Sequence, residues 1–550
     1  MASFSSKLGF GFLGKGVKPT LEWASESALV GAALAMGAAD VRDLSAMERR
    51  LTQHAPDCPK SVRDRMIEEV RCEGDPLGDA FAMLRTPESR RATGATYTPG
   101  KIVDAMANWA REFSGDQNPQ RVVDPGAGSA RFLLAAARRF PKAELIGVEV
   151  DPLAALIARA NLAAGGYADR ARIVLGDYRD LKLPPTDGRT LYIGNPPYVR
   201  HHLLDSRWKG WLSREADRLG YRGSQLAGLH VHFFLATVLH SKAGDFGAFV
   251  TASEWLDVNY GRLVRELFLN ELGGNGLTIV QPAIKIFADA AVTSVICTFE
   301  FGSRPAGVRV KHVTSADEIE PLQNGRLLDR GALQPRARWS RLTQPARRAP
   351  TGYVELGEIC RVHRGQVTGA NRIWIAGQHS VDLPASVLFR SVTKARELFH
   401  AQGVLADGDK LRLVIDLPVD LSCFSGSEKR AIERFLRLAK SEGAADGYIA
   451  SNRKAWWSVG LKSAAPILAT YMARRPPAFV RNLVGARHIN IAHGLYPRAP
   501  LAPEVLDRLA AWLSQGTRVG DGRTYAGGLT KFEPREMERL LVPSPEMLIQ

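Results

Sequence analysis

The sequence predicts an α/β protein: an open, doubly wound, mostly parallel sheet, with a helical segment ahead of it and an α+β domain behind it. Two observations carry that prediction. Four apolar runs, Val122-Val123, Leu145–Val148, Ile173–Leu175 and Leu191–Ile193, are separated by stretches of helical periodicity, the alternation that builds parallel sheets. Each run stops on a polar cluster, at Asp124, Glu149, Asp177 and Asn195, and open parallel sheets bind ligands at the carboxyl ends of their strands.

In order, the chain divides into a helical amino-terminal segment (1–90), a sheet-forming domain (91–302), a basic linker (303–350) and a second domain (351–550). In the first segment Leu29, Val30, Met47, Leu51, Val62, Met66, Val70, Leu77, Phe81 and Leu84 recur at roughly helical spacing. Nothing there suggests chemistry, and no acidic residue is followed by the spaced (D/E)xK of a nuclease. Thr98-Pro99 reads as an N-cap and first helical position ahead of Ile102, Val103 and Met106. The strand Arg121–Val123 runs into Asp124-Pro125-Gly126-Ala127-Gly128-Ser129-Ala130 and then a helix, so a ligand can approach the backbone closely at the turn. Glu149 follows Asp124 by 149 − 124 = 25 residues, an offset suited to a carboxylate that binds ribose hydroxyls. The third strand closes on Asp177-Tyr178. A helix over Leu226–Leu239 and strands at Phe246–Val250, Leu277–Val280 and near Val295–Phe299 complete the sheet. His230, His232 and His240 lack an HExxH or HxE pattern and read as core or surface residues.

The fourth strand ends on Asn195-Pro196-Pro197-Tyr198. Two prolines cannot extend a sheet ladder, so a stiff loop follows. Asn195 offers a carbonyl acceptor, Pro196 a backbone carbonyl with no N–H of its own, and Tyr198 a flat ring. Two acceptors beside an aromatic face suit the gripping of an amide or exocyclic NH2 group.

Composition narrows the partners. The 550 residues hold 45% hydrophobic and 24% charged residues, as globular proteins do, and 73 Lys+Arg against 57 Asp+Glu leave a net charge of +16. Such a surplus favours a polyanion, nucleic acid first. Arginines crowd the linker, at 326, 330, 336, 338, 341, 347 and 348, as expected of a segment that follows a phosphate backbone. In the second domain Arg364, Thr368, Asn371, Arg453, Trp456 and Arg475 are of the types that contact phosphates and base edges. Five cysteines, at 58, 72, 297, 360 and 423, are too scattered for a zinc site or a disulfide framework. With no run of eighteen apolar residues and no secretory pattern in the first ten, no membrane association and a cytoplasmic setting are expected.

These motifs resemble the S-adenosylmethionine-dependent adenine-N6 DNA methyltransferases of gamma-type motif order, the Eco57I-like type II modification methylases, strongly over 94–302 and more loosely over 353–545. The resemblance implies a Rossmann-like methyltransferase sheet followed by a target-recognition domain. It also implies roles. Thr96, Tyr97, Thr98 and Pro99 would hold the methionine end of the cofactor; Asp124, Pro125, Gly126 and Gly128 would form its turn; Glu149 would bind its ribose. Asp177 would bond its adenine, with Tyr178 stacked beside. Asn195, Pro196, Pro197 and Tyr198 would be the catalytic tetrad, with Tyr198 and Phe287 flanking a flipped adenine in double-stranded DNA. The chain departs from the family at Ala130, where a second glycine is usual. A separate restriction endonuclease and action as a monomer are further expectations; RNA adenine, protein glutamine, N4 of cytosine, or a non-catalytic specificity subunit are the alternatives.

Overall fold

The structure is a computed structural model that describes residues 25–85, 98–280, 294–333, 339, 349–473, 475–525 and 529–549. The expectations placed on Thr96, Tyr97 and Phe287 fall outside the described residues. The chain divides into two compact units at Pro345/Ala346.

Four helices open the first unit, α1 (Glu26–Ala35), α2 (Ala46–Thr52), α3 (Lys60–Arg71) and α4 (Pro76–Leu84), followed by α5 (Gly100–Ser114). The sheet is then laid down as β1 (Arg121–Asp124), α6 (Arg131–Arg139), β2 (Glu144–Glu149), α7 (Pro152–Ala164), β3 (Ala171–Leu175), β4 (Thr190–Gly194), α8 (Ser206–Arg218), α9 (Leu229–His240), β5 (Phe246–Ala252), α10 (Arg262–Leu269), β6 (Gly274–Val280), β7 (Ser294–Glu300), β8 (Gly307–Val313) and β9 (Arg326–Asp329). The strands lie in the order β3-β2-β1-β4-β5-β7-β6-β8-β9. From β3 to β5 all pairs are parallel, and β7 slots in antiparallel between β5 and β6. The order reverses between β1 and β4, so a crevice opens at their carboxyl ends.

Successive strand residues feed opposite cores, as the two-residue strand period demands. Val122, Leu145 and Leu191 face the core with α5, α6 and α7, whereas Val123, Ile146 and Tyr192 face the one with α9 and α10. Helix α7 is apolar nearly all round because both its faces are covered. The sheet lies on one side; Leu29, Val62, Met66, Val70 and Leu77 of the leading helices lie in the same core on the other.

A buried ion pair ties the two together. Ser45 and Glu48 form a capping box on α2, and the Glu48 carboxylate also receives Arg159 Nε of α7 at 2.7 Å, both side chains being fully buried. Arg159 spends its other donors on the carbonyls of Val41, Arg42, Asp43 and Ile173. The amino-terminal helices therefore share a core with the sheet.

Two expectations change here. Residues 307–313 and 326–329, read as part of a basic linker, are strands of the sheet. In Gly307-Val308-Arg309-Val310 the valines face inward and Arg309 outward, the alternation of a half-buried strand, and the density of arginines masks it. Trp339, also in that span, is buried against Trp255 and Phe268. In addition, α5 begins at Gly100 with Pro99 as its cap, one residue later than the motif suggests, which releases the Thr98 side chain for another task.

The second unit is α+β. Its largest sheet runs, edge to edge, Cys360–Arg364, Ala492–Pro497, Ile467–Thr470, Phe479–Asn482 and Val404–Leu405. The helix Pro503–Gly516 packs its Val505, Leu509 and Leu513 into the core beneath that sheet, and Gly426–Ser441 closes a second core with Trp374 and Val414.

Candidate active site

The turn after β1 is set by the backbone. Gly126 N–H donates to Asp124 Oδ1 at 3.1 Å, Ala127 N–H to the Val148 carbonyl at 2.9 Å, and Gly128 N–H to Glu149 Oε2 at 2.9 Å. Gly128 adopts φ of +53°, where a side chain is disfavoured, and a Cβ there would point into open space. A Cβ on Gly126 would meet Pro197 Cδ at 3.6 Å and the Asn195 carbonyl at 3.7 Å, ordinary contact distances that place the Asn195 loop against the turn. Ala130 caps α6 at φ of +71°, a conformation that costs a non-glycine residue about 1–2 kcal/mol, and its methyl is fully buried.

Asp124 lies beneath the turn, wholly buried. Burial, with the Glu149 charge nearby, pushes its carboxyl up to about 8 against the opposing Gly126 hydrogen bond, and Oδ2 has no partner. Its part is thus to fix the turn from below.

Glu149 ends β2 and receives N–H groups from Val150 at 2.8 Å and Asp151 at 2.9 Å in addition to Gly128. Three of its roughly four lone-pair sites are filled, which leaves one for a ligand hydroxyl. Burial still holds its pKa above the ordinary value, against those three bonds. Asp177 follows β3. Burial alone would raise it, but Arg179 reverses the sign by donating its backbone N–H and Nε to Oδ1 and Nη2 to Oδ2, and the carboxyl is lowered. Arg179 in turn stacks 3.6 Å over Trp208 and donates to His232 Nδ1 at 3.2 Å. Burial drives His232 down to about 3, so the ring stays neutral and can accept.

Tyr178 lines the cleft beside Asp177, with most of its ring buried against Phe233 and His240 and its hydroxyl bonded to Thr237 at 3.0 Å.

At the end of β4 the Asn195 carboxamide donates Nδ2–H to Thr98 Oγ1 at 3.0 Å, which orients the amide. Tyr198 donates its hydroxyl to the Val250 carbonyl of β5 at 3.3 Å, fixing the ring at the edge of the loop.

Thr98, Pro125, Gly126, Gly128, Glu149, Asp177, Asn195 and Pro197 line one cleft at the strand ends. Apolar side chains and a few convergent polar groups line it together, the mixture typical of ligand sites. Sequence reasoning missed several of its walls, among them Phe81 of α4, Arg85 just after it, Val150, and Leu229 and Phe233 of α9. Val150 is 53% exposed, an apolar side chain left open directly after the acid of β2, and that adjacency is the signal that could have found it.

In the second unit Arg453 donates to the carbonyls of Val367, Thr368 and Trp456, at 2.7, 3.0 and 3.3 Å. Thr368 is buried and donates to Asn371 Oδ1, and Trp456 packs edge-on to Trp374 and Trp457. Thr368 is thus buried away from surface contact, whereas Arg453 and Trp456 are half-buried, Arg453 bracing the 366–371 loop. Arg364, Asn371 and Arg475 are exposed, with Arg364 over the Tyr471 ring and Arg475 3.5 Å over Phe399. Among the described residues no group of three or more His, Cys, Asp or Glu is placed to hold a metal ion, and no helix is long and apolar enough to cross a membrane.

Residues 73–256 match the family described as N-6 DNA Methylase, and residues 346–550 match the type II methyltransferase M.Eco57I C-terminal domain. The chain is 50% identical to the type II methyltransferase M.XamI of Xanthomonas campestris pv. amaranthicola, over 95% of this chain and 99% of that one. A tRNA1(Val) (adenine(37)-N6)-methyltransferase of Porphyromonas gingivalis is 37% identical over 114 residues, 20% of this chain and 45% of that one. Among solved structures the type IIG restriction endonuclease BpuSI covers 96% of this chain and 72% of its own, at 14% identity and a TM-score of 0.47. The family's cofactor is S-adenosylmethionine. The residues fit it: Gly128 and Gly176 leave open the space their side chains would fill, and Glu149 and Asp177 line the same cleft. On the full-length identity and the two matched regions, the chain belongs to the type II methyltransferases, with an N-6 DNA methylase domain.

Proposed function

We propose that the chain methylates N6 of an adenine swung out of double-stranded DNA. What carries this reading is the Asn195 carboxamide, oriented by Thr98 at the lip of the cofactor cleft. Bound S-adenosylmethionine supplies the sulfonium methyl. Glu149 would take a ribose hydroxyl with its remaining lone pair, Asp177 would take the cofactor's adenine amine, and Val150 and Phe233 would offer apolar faces to that ring. The Asn195 oxygen and the Pro196 carbonyl accept the two N6–H groups of the target base. Those bonds draw the nitrogen lone pair out of the ring and toward the methyl. The methyl would pass from the bound cofactor to N6, its S–C bond breaking as the N–C bond forms, and one N6 proton would leave to water. Tyr198, tethered through Val250, offers its ring in place of the stacking lost on flipping, which costs a few kcal/mol.

The +16 net charge and the unit at 346–550 favour DNA over a glutamine side chain, although both present the same NH2 donors. We place the protein in a bacterial cytoplasm as a monomer, beside a separate restriction endonuclease. Native DNA from cells with and without the protein, read for N6-methyladenine, tests the reading: one short motif should carry the mark only in cells with it. Methylated cytosine, or no mark, would refute it.

A further inference from the structure

The leading helices carry no motif, and the proposed reaction gives them no step, yet one of their carboxylates is wired to the site. Asp75 caps α4, accepting from Gly78 N–H at 3.0 Å, and is 8% exposed. A cap needs one oxygen and one donor; Asp75 collects three donors more. Oδ2 accepts from Ser129 Oγ at 2.5 Å and from Arg131 Nε at 2.6 Å, and Oδ1 accepts from Asn161 Nδ2 at 2.8 Å. Asn161 also holds the Ser129 carbonyl at 2.9 Å. The residues on both sides of Ala130 are thereby clamped, at the point where the turn takes its left-handed conformation.

The wiring continues. Arg131 Nη1 donates to the Thr98 carbonyl at 3.2 Å, and the Thr98 hydroxyl accepts from the Asn195 carboxamide at 3.0 Å. Asp75, Arg131, Thr98 and Asn195 thus form one chain from the amino-terminal helices to the amide that faces the substrate.

We propose that Asp75 is a positioning residue for methyl transfer, fixing the Asn195 carboxamide through Arg131 and Thr98. This rests on the reading of Asn195 as the acceptor of the target NH2. Displacing such a group by about 1 Å can cost on the order of 100-fold in rate.

The test is a double-mutant cycle on the full chain, with unmodified bacterial genomic DNA and labelled S-adenosylmethionine. Asp75→Asn should lower kcat by ten- to a hundredfold with KM for DNA within threefold of wild type. In a Thr98→Val background, which removes the hydroxyl at the end of the wire, the same substitution should cost less than threefold. Multiplicative losses would show a merely structural cap and overturn the proposal, as would Asp75→Asn with kcat within threefold of wild type. Should Asp75→Asn not fold, Arg131→Lys, which keeps the charge but cannot reach both partners, decides by the same two criteria. A wild-type chain that transfers no methyl to DNA overturns the proposed function instead.

Discussion

Asp124→Asn isolates the least comfortable group in the site. The Asp124 carboxyl is wholly buried, has one N–H on Oδ1 and nothing on Oδ2, and is pushed up to about 8. An unfolded aspartate titrates at about 3.9. Between those values the folded chain holds a proton that the unfolded chain releases, so the contribution of Asp124 to stability is greatest below pH 4 and falls as pH rises toward 8. With those two values the loss between pH 5 and pH 8 is roughly 3–4 kcal/mol. Asparagine keeps the oxygen that accepts from Gly126 and cannot titrate, so the variant should lose that slope and be the more stable protein at pH 8. Urea unfolding of the ligand-free full chain, followed by tryptophan fluorescence from pH 5 to 9, gives the difference curve. Parallel curves for the two proteins would refute the reasoning, because titrating groups away from Asp124 contribute equally to both.

Other perturbations reach the fold and the second unit. Arg159→Met strands the buried Glu48 carboxylate and should cost about 3–5 kcal/mol in the same assay, whereas Glu48→Leu with Arg159→Met together should cost well under the sum of the two single losses; additive losses would mean that the pair is not coupled. Ala130→Gly relieves about 1–2 kcal/mol of strain but gives up a buried methyl worth about 0.8 kcal/mol and adds glycine's chain entropy, so stability should change by less than about 1 kcal/mol. Arg364→Ala and Arg475→Ala should each lower the slope of log DNA affinity against log salt by about 1, while Arg453→Ala, spent on carbonyls, should weaken binding without changing that slope.

The strand ends were readable because an apolar run that stops on a carboxylate or an amide has few other meanings in a parallel sheet. Glu149, Asp177, Asn195 and Thr98 line one crevice, whereas Asp124 is buried beneath its turn. What stayed hidden were side-chain directions. Tyr178 follows Asp177 directly, yet the chain turns into a short 3-10 segment there and buries most of the ring under α9. Charge misled for a related reason: an arginine in a polar stretch can serve phosphates or carbonyls, and Arg453 serves carbonyls. The strands of 307–329 hid behind their arginines. The leading helices looked idle because their link to the site runs through single long-range partners, Asp75 to Arg131 and Glu48 to Arg159, which no local pattern signals.

The most direct measurement is single-turnover methyl transfer to duplex DNA by Asn195→Ala, with folding checked by its unfolding curve. Loss of one placed acceptor should slow transfer by about 100- to 1000-fold while S-adenosylmethionine still binds. Transfer at near wild-type rate by a folded Asn195→Ala would contradict the role given to that carboxamide, and with it the mechanism.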